Sequence, residues 1–208
     1  MVEIGMDLIK KLREWSGAGI MDCKRALQEN NGDIEGAMET LRKQRADIAA
    51  RKSHRETRSG MIGAYTHVRD DGGVPSLGVM VEVNIETDFA ARNEVFRDFV
   101  KKLCLHIAMA DPRWLRTEDV PEDVLEKERE FIRESLGEVA NKPKEVVDKI
   151  VEGKLRKFYE DNCLLKQEFA LAQDKADRKP IEALLKDVIG QIGENITIRR
   201  FVRMDLGA

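Results

Sequence analysis

Aromatic residues make up only 5% of this 208-residue chain, too few for the stacked platform on which single-stranded nucleic acids are bound. Cysteine is scarce as well. Cys23, Cys104 and Cys163 are widely spaced, odd in number and without a Cys-x-x-Cys pair, which argues against a disulfide framework or a zinc site and leaves three small apolar residues for the interior. The three histidines, His54, His67 and His106, stand far apart with no helical His-x-x-x-His pair, so no metal centre is expected. An excess of positive charge is also missing: the formal net charge is -3, against the positive field that general phosphate binding requires. No apolar run approaches the roughly 20 residues needed to cross a bilayer, and the N-terminus lacks a basic-then-apolar leader. The expected location is cytoplasmic, with no membrane association.

Signatures of chemistry are lacking too. There is no Gly-x-x-x-x-Gly-Lys-Ser/Thr phosphate loop, no Gly-x-Gly-x-x-Gly turn after a strand and no Gly-x-Ser-x-Gly elbow. Carboxylates sit in mixed-charge helical runs such as Glu126-Lys127-Glu128-Arg129-Glu130, the pattern of a solvated face rather than an acid/base pair. The sequence therefore predicts no catalytic residue, no cofactor and no direct nucleotide binding.

What is present is charge and helical period. Charged residues make up 36%, suited to helices with salt-bridged outer faces, and a chain of this length buries about 70% of its unfolded surface, enough for two compact units. Ile4, Leu8, Ile9, Leu12 and Trp15 recur at helical spacing and stop at Ser16-Gly17-Ala18-Gly19. Asp22 is expected to cap a second helix carrying Cys23, Ala26 and Leu27, and Asp33 a third carrying Ile34, Ala37, Met38 and Leu41. From Arg42 to Arg58 seven basic residues face two acidic ones, a local net of +5. A solvated helix tail and linker is favoured there over an RNA-binding stripe, because no aromatics are interleaved.

The period then changes. Met61 to Val68 reads as a strand and Arg69 to Ser76 as a loop, and Leu77, Val79, Val81, Val83 and Ile85 alternate along a second strand. A long helix follows with Phe96, Phe99, Val100, Leu103 and Ile107 inward, ending at Asp111-Pro112. Segments opening at Pro121 and Pro143 form a helical hairpin joined by Gly137 to Lys142; after a mixed loop, Pro180 opens the last helix and Ile196, Ile198, Val202 and Met204 alternate in a final strand. The expected fold is α+β: a three-helix head and basic linker over residues 1–55, then a core over residues 56–208 with a three-stranded antiparallel sheet covered on one face by helices.

Two places invite contact. Thr87 or Asp88 can cap a helix after the buried strand, with Phe89 at the corner as either core or probe; periodicity favours core. Ile20 and Met21, behind a glycine-rich loop, are either core staples or a contact patch.

These residues carry a resemblance. Leu12-Arg13-Glu14, Gly17-Ala18-Gly19-Ile20-Met21-Asp22-Cys23-Lys24 and Asn31-Gly32-Asp33-Ile34 resemble the ubiquitin-associated-like head of the elongation factor Ts family. Val81-Glu82-Val83-Asn84 running into Thr87-Asp88-Phe89, with Lys142-Pro143-Lys144, Val151-Glu152-Gly153-Lys154 and Gly193-Glu194-Asn195-Ile196, resemble its core, in order along nearly the whole chain. The resemblance implies a guanine-nucleotide exchange factor whose partner is elongation factor Tu, with Ile20, Met21 and Lys24 docking the head. It further implies that Thr87, Asp88, Phe89 and Ala90 enter beside the partner's magnesium and phosphate site, with His106 as a secondary contact. Glu86 stands where the family often has an amide. Only one core module is present where longer members carry two, which implies a homodimer. An adaptor whose head binds a peptide or ubiquitin-like fold without touching a nucleotide site is the alternative function.

Overall fold

The computed structural model describes residues 4–68, 73–137, 143–172 and 178–207. Parts of three expected connections, the loop from Arg69, the link to Lys142 and the loop before Lys179, lie outside the described residues. The elements are α1 (Met6–Ser16), α2 (Ile20–Glu29), α3 (Ile34–Lys52), β1 (Ser59–Val68), β2 (Pro75–Ile85), α4 (Asp88–Ala91), α5 (Glu94–Ala110), α6 (Glu122–Glu134), α7 (Lys144–Asn162), α8 (Ile181–Ile192) and β3 (Ile196–Asp205), with one 3-10 turn at Thr117–Asp119. Helices and one antiparallel sheet make the fold α+β. The chain divides into two compact units, one of Met1–Met61, Val83–Phe99 and Leu184–Arg199, the other of Ile62–Glu82, Val100–Ala183 and Arg200–Ala208.

In the first unit α1, α2 and α3 bury Ile9, Leu12, Cys23, Ala26, Leu27, Ala37 and Leu41 against one another. Gly17 ends α1 in the left-handed conformation (φ 64°), its N–H donating to the Arg13 carbonyl, as expected of a residue free of Cβ strain. Asp33 caps α3 as expected, its carboxylate accepting from the N–H groups of Glu35 and Gly36. Two expectations for the head need correction. Asp22 is not the cap of α2: Gly19 occupies that position, and Asp22 lies in the first turn, where its charge complements the helix dipole. Trp15 does not belong to the buried stripe, which stops at Leu12; the indole is 58% exposed with Lys11 Nζ 4.8 Å from its ring centroid.

Strand order in the sheet is β1-β2-β3. β2 alternates without error: Leu77, Val79, Val81, Val83 and Ile85 are buried, and the residues between them are not. Leu206 N–H donates to the Ser76 carbonyl while Arg200 meets Glu82, so β3 recedes as β2 advances. In the second unit Gly63 of β1 lets α5 come close. A Cβ there would lie 2.6 Å from Val100 Cγ1 and 2.7 Å from Cys104 Sγ. Helices α6 and α7 bury Ile132, Leu136, Val151 and Leu155. Each starts one residue after its proline, whose carbonyl accepts the first intrahelical bond, from Leu125 and from Val147. The proline ring sets the entry and loses no needed N–H.

Candidate functional site: the corner between β2 and α5

β2 delivers the chain to a corner whose residues divide sharply in exposure. Ile85 is fully buried and Ala90 is buried, whereas Phe89 between them is 84% exposed. The apolar spacing that favours Phe89 as core fails there because α4 is a single turn of four residues. The turn rotates Ala90 inward and leaves Phe89 outward, while Phe96, from the next helix, is fully buried. Asp88 is also exposed, its carboxylate accepting from Arg92 Nη2 at 3.1 Å.

Thr87 is the N-cap of α4, its hydroxyl accepting from the Ala90 N–H at 3.2 Å. The same hydroxyl donates to Glu194, 2.8 Å from Oε1 and 3.1 Å from Oε2, and the Thr87 N–H donates to Glu194 Oε2 at 3.0 Å. One residue back, Glu86 Oε1 accepts from the Asn195 N–H at 2.6 Å and Oε2 from Arg55 Nη1 at 3.3 Å. Burial pushes the Glu86 carboxyl up, but the Asn195 N–H, Arg55 and Lys52 together outweigh it and hold the group below its ordinary value. Asn195 is buried, and its Nδ2 donates to the carbonyls of Ser53, at 3.3 Å, and Arg55, at 2.7 Å. Lys52 Nζ donates to the Gly193 carbonyl. The turn before β3 thus holds both the corner and the end of α3. The residues that Gly193, Glu194 and Asn195 hold are 107 to 142 positions away in sequence, so no local pattern reveals them; the only trace is the Gly193-Glu194-Asn195-Ile196 motif itself.

On α2, Ile20 and Met21 are 48% and 67% exposed, and Lys24 is exposed one turn on. Cys23, Ala26 and Leu27 take the inward face. Of the two readings of Ile20 and Met21, core staple is the one the burial opposes. The basic stretch after Leu41 is largely committed within the chain. Arg45 Nη2 donates to the Ser16 carbonyl at 2.6 Å, Arg51 Nε to the Asp47 carbonyl at 3.2 Å and Arg55 to Glu86, while Lys43 pairs with Glu39 and Arg58 with Glu56. With Lys52 on Gly193, six of the seven basic residues have a partner in their own chain.

His106 is fully buried on α5 and offers no surface to a partner in this structure. Its Nδ1 accepts from the Ala170 N–H at 3.1 Å, which leaves the proton on Nε2, 3.1 Å from Gln167 Oε1. Burial pulls its pKa below the ordinary value and the Gln167 bond raises it less, so the neutral form is favoured more than in a free histidine. Gln167 Nε2 in turn donates to the carbonyls of Ala110 and Asp161. His106 therefore belongs to a satisfied buried network. Among the described residues no three or more His, Cys, Asp or Glu are grouped to hold a metal, and no helix is long and apolar enough to cross a membrane.

Comparison with known proteins gives the chain its relatives. The profile of the Elongation factor TS family matches residues 18–176. The elongation factor Ts of Thermosipho melanesiensis is 47% identical over 204 residues, covering 98% of this chain and 99% of that protein. Those of Fervidobacterium nodosum and Caldanaerobacter subterraneus subsp. tengcongensis are each 48% identical, over 206 and 205 residues, covering 99% and 98% of this chain and 100% and 97% of those proteins. With matches over nearly the full length of both partners in each comparison, this chain belongs to the elongation factor Ts family.

Proposed function

We propose that this protein is a cytoplasmic guanine-nucleotide exchange factor of translation elongation that binds elongation factor Tu carrying GDP and promotes GDP release without covalent chemistry. The observation that carries the reading is Phe89, a large apolar side chain held 84% exposed on a braced turn beside a carboxylate. Exposure of that degree has no folding benefit; it suits a probe that is buried only in a complex. Thr87 and Ala90 hold the turn, Phe89 enters an apolar pocket of the partner, and Asp88 comes beside its magnesium and phosphate site. The head, residues 1–55, docks through Ile20, Met21 and Lys24, a pair of exposed apolar side chains with one cation on the same helix face.

Magnitudes favour a distributed grip. Burying one phenylalanine contributes about 1.5–3 kcal/mol, whereas nanomolar nucleotide binding is about 12 kcal/mol. The probe alone accelerates release by about tenfold to about 150-fold, since each 1.4 kcal/mol is tenfold. The remainder comes from contacts that bind the nucleotide-free partner better than its GDP form, and linkage then requires excess nucleotide to expel the factor.

A homodimer is part of the proposal. Outward on the sheet portion of the second unit, Ile62, Val68, Met80, Val202 and Met204 are all exposed, an apolar face of the kind that a second copy of the chain covers. The test of function is release of fluorescent GDP from elongation factor Tu in a stopped-flow instrument. Acceleration by this protein, reversed by excess GDP, supports the proposal; binding without acceleration replaces it with the adaptor reading.

A further inference from the structure

The exposed corner is a four-residue helix, close to the costly nucleation stage of helix formation. Within the turn the N–H groups of Ala91, Arg92 and Asn93 donate to the carbonyls of Thr87, Phe89 and Ala90, and Arg92 pairs with Asp88. A brace from outside the turn adds to these bonds, and it is supplied by the side chain of Glu194. The Thr87 hydroxyl has one proton, and it is committed to Glu194 at 2.8 and 3.1 Å, which turns a lone pair toward the Ala90 N–H at 3.2 Å. Without Glu194 that hydroxyl is free to rotate and the Thr87 N–H loses its acceptor at 3.0 Å. Asn195 completes the arrangement. Its N–H holds Glu86 at 2.6 Å and its side-chain amide holds the carbonyls of Ser53 and Arg55, so the end of α3 and the root of the probe share one buried residue.

We infer that Glu194 and Asn195 are positioning residues of nucleotide exchange: Glu194 fixes the direction in which Asp88 and Phe89 are presented, and Asn195 ties that direction to the end of the head's last helix. The inference rests on the reading of the corner as the exchange probe. Neither residue touches the partner's nucleotide site in this account. Glu194 acts through Thr87, and the expected effect of losing it is on the rate of the bound complex rather than on its formation; the Asn195 side chain acts on the end of α3, and the expected effect of losing it is on formation.

The experiment uses the full chain as Glu194→Ala, Glu194→Gln and Asn195→Ala, measuring GDP release from elongation factor Tu over a range of factor concentrations, together with amide hydrogen exchange of the free protein. Glu194→Ala should lower the saturating release rate about tenfold, the scale of hydrogen bonds to a charged acceptor. The half-saturating concentration should move by less than about threefold, since the lost interaction belongs to the activated complex. Glu194→Gln, which keeps an acceptor oxygen for Thr87, should recover most of the rate. In the double variant with Phe89→Ala the release rate should fall no further than in Phe89→Ala alone, because both act through one element. In the free protein the Thr87 and Ala90 amides should exchange faster in Glu194→Ala while those of Val83 and Ile85 do not change. Asn195→Ala keeps the backbone N–H that holds Glu86 and removes only the side-chain bonds to the Ser53 and Arg55 carbonyls, so it should instead raise the half-saturating concentration, because it frees the end of α3.

A wild-type saturating rate in Glu194→Ala, a loss that multiplies with that of Phe89→Ala, or unchanged exchange at Ala90 would overturn the inference. If Phe89→Ala itself releases GDP at the wild-type rate, the probe reading fails, and amide exchange alone then decides whether Glu194 positions the corner.

Discussion

Replacing Phe89 by alanine sets two physical roles against each other, because a core phenylalanine and a probe phenylalanine are lost in different currencies. A buried phenylalanine cut to alanine loses about 3–5 kcal/mol of folding free energy, which in a protein of this size lowers the melting temperature by about 6–20 °C. Phe89 is 84% exposed, and a surface substitution of this kind changes stability by no more than about 0.5 kcal/mol, or about 2 °C. Exchange should tell the opposite story. If the ring is buried in the partner during GDP release, its removal takes away about 1.5–3 kcal/mol at that step, a fall of about tenfold to about 150-fold in the saturating release rate. The assay is stopped-flow release of fluorescent GDP from elongation factor Tu with wild-type and Phe89→Ala factor, alongside thermal unfolding of both. A melting temperature lowered by 10 °C, on the order of a core truncation, would refute the exposure argument. A stable variant that exchanges at the wild-type rate would refute the probe.

Gly153 sits within α7, and a Cβ built there meets nothing within 4 Å. Gly153→Ala should therefore raise stability by about 0.5–1 kcal/mol, read as a higher denaturation midpoint; a lower midpoint contradicts the open space seen around it. Glu86 has a folded pKa held below its ordinary value of 4.5, so its contribution to stability is complete above that value and is lost as pH falls through the lower, folded pKa. The Asn195 amide resonance should titrate with a midpoint below 4.5, and Glu86→Gln should abolish the titration. Met80→Glu with Met204→Glu places charge on the exposed sheet face and should shift the sedimenting species from dimer to monomer while the circular dichroism spectrum is unchanged. A wild-type protein that sediments as a monomer would remove the dimer from the proposal.

Local pattern alone determined most of the elements of this protein. The unbroken alternation from Leu77 to Ile85 fixes a strand and its buried face, because a side chain's direction in a strand depends only on parity. Asp33, Gly17 and the two prolines at 121 and 143 mark helix ends through bonds that span three or four residues. The family motifs were equally visible as strings.

Exposure and partnership were decided only by tertiary structure. Phe89 and Phe96 look alike in sequence, yet one is exposed and the other fully buried, because a single-turn helix intervenes and redirects the chain. The basic stretch is largely exposed, as the sequence suggests, but the distant carbonyls and the Glu86 carboxylate that Arg45, Lys52 and Arg55 meet are set by the tertiary structure. Nothing in the sequence around His106 reveals its bond to Gln167, 61 residues away, which sets it in a buried network. Glu194 and Asn195 brace a corner more than 100 residues away. Hydrogen bonds of that range depend on where the backbone returns, and the periodicity of any one segment carries no information about that return.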